Sequence, residues 1–168
     1  MDLTGSWRYV QEIARQRLEH NITKRHVSDY GTGIELLGAA GELAARRFLG
    51  LDEHLHTHLD DGVDIRWRGH TIDVKTTHLT PKIEYRFLQW TKDKPVVADL
   101  VLMAAVNLRT KQATILGYTE KNNIMRAPIN YTRDYPCHEV PVRDLKPAWE
   151  LLVLDSRRHK HAYQYLGR

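Results

Sequence analysis

The chain has 168 residues, of which 42% are hydrophobic and 27% charged, with a formal net charge of +4 and a single cysteine, Cys137. That length suits one domain with a real core, and no stretch approaches the roughly 18 apolar residues of a membrane span. One cysteine excludes an internal disulfide, and Met1–Ser6 lacks a basic region followed by an apolar one, so a cytoplasmic protein with no membrane partner is expected.

Ser6 is placed to cap a helix running to about His20, with Trp7, Val10, Ile13, Ala14 and Leu18 on one side. Asn21 to Thr32 is polar and contains Tyr30-Gly31-Thr32-Gly33, which predicts a loop. A second helix follows from about Ile34 to Phe48, with Gly50 as its C-terminal cap. Its centre, Gly38-Ala-Ala-Gly-Glu-Leu-Ala-Ala, is small enough to lie close against a sheet. A short strand is expected around His54–Leu59, and a hairpin over Val63–Thr77. Thr77 to Pro95 reads as irregular. Ala98–Leu108 is nearly all apolar, as in a strand buried on both faces, and a turn at Arg109-Thr110-Lys111 leads to a strand through Gln112–Tyr118. Asn122-Asn123 and Pro128 predict loops, His138–Val142 a short strand, and Asp144-Leu-Lys-Pro147 a turn or helix start leading into Trp149–Leu154. With no repeat or linker, the expected architecture is a single α/β domain over residues 1–168, with a central mixed β-sheet flanked by helices. Its core spans about residues 33–118, and the helix 6–20 and the segment 138–168 are decorations.

The hairpin carries the chemistry. Residues 61–76 alternate apolar and polar, break at Arg68-Gly69, and alternate again. A two-residue turn with Gly at positive φ pairs Trp67 with His70, Ile65 with Ile72, Asp64 with Asp73 and Val63 with Val74. Val63, Ile65, Trp67, Ile72 and Val74 then cover one face, and Asp64, Asp73 and Lys75 project from the other. Two carboxylates directly opposite on a sheet lie roughly 5 Å apart between Cβ atoms and repel. A divalent cation between them removes the repulsion, and hard oxygen ligands suit Mg²⁺ or Mn²⁺. Lys75, two residues past Asp73, shares its face and could orient an attacking water.

Gly41-Glu42-Leu-Ala-Ala-Arg-Arg-Phe48, Gly62-Val63-Asp64 and Ile72-Asp73-Val74-Lys75-Thr76 come in the order and approximate spacing of the motifs of the PD-(D/E)XK nuclease superfamily, which this chain resembles over about Gly33–Tyr118. Val63 stands where the name motif has proline, and Asp73 is the shorter of its two allowed acids. The resemblance implies a restriction-endonuclease-like core and a Mg²⁺- or Mn²⁺-dependent nuclease, acting most readily on DNA in restriction, repair or junction resolution. It also implies a homodimer. By the same resemblance Asp64 and Asp73 would be the main metal ligands, joined by the Val74 carbonyl, while Glu42 would bind metal directly or through water. Lys75 would position the nucleophilic water.

Glu35, two helical turns before Glu42, is a rival for the helical acid, and Arg46 a possible ion-pair partner for Glu42. A nucleic-acid-binding protein that keeps the fold without catalysis is the alternative. A third reading is a zinc protein built on His54, His56 and His58, which would share one face of a strand near Asp60 and Asp61. Lys82, Arg86, Gln89 and Trp90 follow the acid-x-Lys strand. Trp90 could stack on a base or close the core. The basic clusters Lys24-Arg25, Arg46-Arg47, Arg66/Arg68 and Arg157–His161, with His159 and His161 among them, read as solvated faces or as contacts to a polyanion. Cys137 reads as structural, and no glycine-rich phosphate loop supports nucleotide binding.

Overall fold

The apolar run Leu100–Val106 becomes the strand that organises everything else. In the computed structural model, which describes residues 1–22, 31–57, 62–132 and 135–153, every residue of that run is buried. Alternate side chains serve two faces: Leu100, Leu102, Ala104 and Val106 join clusters with the helices, whereas Val101 and Met103 join a cluster with a second sheet. This is the geometry of a strand covered on both sides.

The elements are α1 (Trp7–Ile22), α2 (Gly31–Phe48), β1 (Ile65–Trp67), β2 (His70–His78), β3 (Phe87–Thr91), β4 (Leu100–Asn107), β5 (Gln112–Glu120), α3 (Lys121–Arg126), β6 (Ile129–Asn130) and β7 (Cys137–Pro141). Strand order in the main sheet is β1-β2-β4-β5, with β2 and β4 parallel and the other pairs antiparallel. A smaller antiparallel sheet, β3-β7-β6, covers the face away from α1 and α2, where Ile124 of α3 also packs. The molecule is therefore a mixed α/β domain. The N-terminal helix and the C-terminal segment both enter its core: Trp7, Val10, Ile13 and Leu151 on the side of α1 and α2, and Val140 and Leu145 on the other.

The hairpin forms in the expected register, with Ile65 opposite Ile72 and Trp67 opposite His70. Arg68 (φ 47°) and Gly69 (φ 79°) are both left-handed, which defines a type I′ turn, and the Arg68 guanidinium lies over the Trp67 ring. Gly69→Ala should lower stability by about 1–2 kcal/mol, seen as a lower urea midpoint with an unchanged slope. Helix α2 ends as its glycine predicts: Gly50 has φ 71°, its N–H donates to the Arg47 carbonyl, and the Leu51 N–H donates to that of Arg46.

Several elements differ from expectation. The two helices take in both ends of the expected loop, Asn21–Ile22 and Gly31–Thr32; residues 23–30, with Lys24-Arg25, lie outside the described residues. Ser6 sits in a 3₁₀ turn, Thr4–Ser6, and its hydroxyl binds the Glu53 carboxylate and the Arg47 guanidinium, so charged partners replace the helix cap. No strand forms over 54–57. There the Leu55 N–H donates to the Tyr9 hydroxyl and the His56 carbonyl accepts from Arg17, so α1 side chains replace a strand partner. Phe87–Thr91 is a strand, with Leu88 and Trp90 buried. Asn122-Asn123 lies in α3, which Ile124 anchors in the core. A helical turn over 149–153 follows Pro147; Leu154 and the basic segment 157–161 lie outside the described residues.

Candidate active site

The site forms where β2 runs on beyond its short partner β1. β1 begins at Ile65, so the expected pairing of Asp64 with Asp73 and Val63 with Val74 does not form, and Val63 stays out of the core cluster that Ile65, Trp67, Ile72 and Val74 share. The reason is a local competition. The Asp64 N–H still donates to the Ile72 carbonyl, but the Asp64 carboxylate then takes the Val74 N–H at 2.6 Å, the donor that a continuing strand would have used. Val74 lies two residues past Ile72, so its carbonyl faces the same edge. Among the described residues no strand covers that edge beyond Ile72.

Asp73 and Lys75 project from the opposite face to Ile72 and Val74, as predicted. Asp73 is only 4% exposed. Lys75 Nζ donates to its Oδ1 at 2.8 Å and also lies 2.5 Å from Oδ2, an ionic contact poorly angled for a hydrogen bond. Oδ2 is thus buried with no hydrogen-bond donor among the described residues. The ammonium of Lys75 rests 4.6 Å from the centre of the Trp90 ring. Trp90 is itself buried, donates its indole N–H to the Lys94 carbonyl, and has a second ammonium, that of Lys94, against its ring. It supports Lys75 from within the core, and its ring is not open for stacking on a base.

Helix α2 approaches from the other face. A Cβ at Gly41 would lie 1.8 Å from Thr76 Oγ1, so the helix backbone touches β2 one residue past Lys75. The adjacent Glu42 meets Arg17 of α1. Arg17 Nη1 and Nη2 donate to the two Glu42 oxygens at 2.6 and 2.7 Å, and Nε and Nη2 also bind the His56 carbonyl at 2.9 and 2.7 Å. Arg46 is not the partner; it pairs with Asp52, and Arg47 with Glu53, so both arginines of that basic cluster are used structurally. Burial disfavours the charge on Arg17, but the bonds from Glu42 and the nearby charges of Asp64 and Glu35 more than offset it and hold its pKa above the ordinary value. Arg17 is the residue that sequence reasoning missed. Its signal was present: Val10, Ile13, Ala14 and Arg17 occupy the i, i+3, i+4, i+7 positions of the buried stripe of α1.

Asp73 decides whether these residues suit a divalent cation. A buried carboxylate oxygen with unmet acceptor capacity is a natural hard-cation ligand, and Asp64 and the Val74 carbonyl meet at the same open edge. These three could hold a metal. Glu42, with both oxygens on Arg17, does not join them, and among the described residues no three His, Cys, Asp or Glu side chains form a ready ligand set. The His54 and His56 rings meet edge to face at 5.9 Å between centroids on a segment that is not a strand; His58, Asp60 and Asp61 lie outside the described residues. No helix among the described residues is long and apolar enough to cross a membrane. Comparison with protein-family models, curated proteins and solved structures found no match to this chain.

Proposed function

We propose that this protein is a metal-dependent nuclease of the PD-(D/E)XK type that hydrolyses phosphodiester bonds, with DNA as substrate. The observation that carries the reading is Asp73: a buried carboxylate in ionic contact with a lysine two residues along the same strand, with one oxygen that accepts no hydrogen bond among the described residues, beside a sheet edge that no described strand covers and where a second carboxylate binds. A stable strand alone gains nothing from burying such an acid. Asp73, Asp64 and the Val74 carbonyl would hold Mg²⁺ or Mn²⁺, which when bound neutralises charge at the scissile phosphate and lowers the pKa of a water. Lys75 would orient the attacking water, and the Trp90 ring holds its ammonium near the site.

The test is cleavage of single-stranded, duplex, flapped and four-way DNA, and of RNA, with Mg²⁺, Mn²⁺ or chelator. Metal-dependent cutting of at least one DNA, lost in Asp73→Ala and Lys75→Ala, is the expected result. Equal cutting by the variants and the parent would refute the assignment. The Arg17–Glu42 and Lys75–Asp73 pairs, which neutralise the acids, favour a second reading as a non-catalytic nucleic-acid-binding protein. Binding without turnover across the same panel would support it.

A further inference from the structure

We infer that Arg17 is a positioning residue that withholds Glu42 from the metal, leaving the cation to Asp64, Asp73 and the Val74 carbonyl; this rests on the metal-site reading above. Arg17 is 8% exposed and uses four of its five N–H donors in a fixed fork, on both oxygens of one carboxylate and one backbone carbonyl. A two-pronged guanidinium–carboxylate pair of this kind is both strong and directional. Its anchors lie on three separate parts of the chain: α1, α2 and the segment at His56. Rotation of Glu42 towards the sheet edge would therefore leave a buried arginine unpaired, which is strongly unfavourable.

The position of Glu42 makes this restraint consequential. The Gly41–Thr76 contact fixes α2 beside the open part of β2, and Asp64 is close enough for its charge to act on Arg17. An acid on this part of α2, once freed from Arg17, would be a further candidate ligand for a dication. Arg17 holds Glu42 instead, and a bound metal would be left with a position for water in place of a third carboxylate. Exchangeable water on the cation is what substrate phosphate must displace, so the restraint favours turnover over tight metal retention.

The experiment is Mn²⁺ titration by electron paramagnetic resonance, with water-proton relaxation to count exchangeable waters on the bound ion. It uses the intact chain with no nucleic acid. Arg17→Gln should tighten Mn²⁺ binding about tenfold, within the range for changes around metal ligands, and remove one exchangeable water. Arg17→Gln/Glu42→Gln should return both readings to the parent values, and Glu42→Gln alone should leave the water count unchanged. Loss of positive charge alone would tighten binding without changing the water count, and that result overturns the proposal. So does Glu42→Gln alone weakening Mn²⁺ binding as much as Asp73→Asn, which can be read even if Arg17→Gln does not fold. Failure of the parent to bind Mn²⁺ would sink this inference and the nuclease reading together. Mn²⁺ binding that responds as described, in a chain that cuts no nucleic acid, would sink only the nuclease reading.

Discussion

Asp73→Ala should reduce metal-dependent cleavage by at least about a thousandfold and leave the fold intact. A metal at a phosphodiester supplies several kcal/mol of transition-state stabilisation, and each 1.4 kcal/mol is about a factor of ten, so on the proposed metal-site reading loss of Asp73 would account for about three decades or more. Stability should hardly fall. The substitution removes one oxygen with no hydrogen-bond donor among the described residues and another bonded only to Lys75 there, and the ammonium it strands is one-third exposed and can regain water. Loss of activity with an unchanged melting temperature separates a chemical role from a structural one. Lys75→Ala should lose cleavage similarly while still binding Mn²⁺, because it removes no ligand.

Gly41→Ala should destabilise the protein by about 3 kcal/mol, the upper end for one methyl forced into a filled site. The new Cβ would lie 1.8 Å from Thr76 Oγ1 and 2.8 Å from Thr76 Cβ, on a β-branched side chain with little freedom to turn away. Helix and strand must separate. Thr76→Gly removes the colliding atoms, so the double variant should recover most of what Gly41→Ala loses, beyond the intrinsic cost of a glycine in a strand. Denaturant unfolding of the four proteins completes the cycle. If Gly41→Ala alone leaves stability unchanged, the close approach of α2 to β2 is wrong, and with it the placement of Glu42.

Much of this arrangement was legible in the chain because it is local. Alternation around Arg68-Gly69 predicted the hairpin, its register near the turn and the face shared by Asp73 and Lys75. The apolar run at Leu100–Val106 marked the central strand, and the small residues around Gly41 marked the close helix contact. The unreadable parts depend on residues far apart in sequence. Arg17 finds Glu42 and His56 25 and 39 residues away, which no local pattern encodes, although its place in an apolar stripe hinted at a buried partner. The strand β3 was obscured by the charges around it, yet Leu88 and Trp90 keep a period of two. In α3, the poor helix formers Asn122 and Asn123 are overruled by the burial of Ile124 and by the bond from the Lys121 N–H to the Asp99 carbonyl. The end of β1 at Asp64 was hidden because apolar–polar alternation continues through Val63, while a side chain supplies the hydrogen bond that the alternation assigns to backbone.

The bond from Asp64 to Val74 also bears on self-association. An uncovered strand edge with a vacant N–H invites pairing with another chain, and a carboxylate seated on that N–H both occupies the donor and repels an incoming backbone carbonyl. Asp64→Ala would remove this guard and, on the proposed nuclease reading, a metal ligand as well, giving an inactive protein prone to edge-to-edge aggregation. Asp73, on the sheet face and uninvolved in the edge, is the better position for an inactive variant meant to trap nucleic acid at high protein concentration.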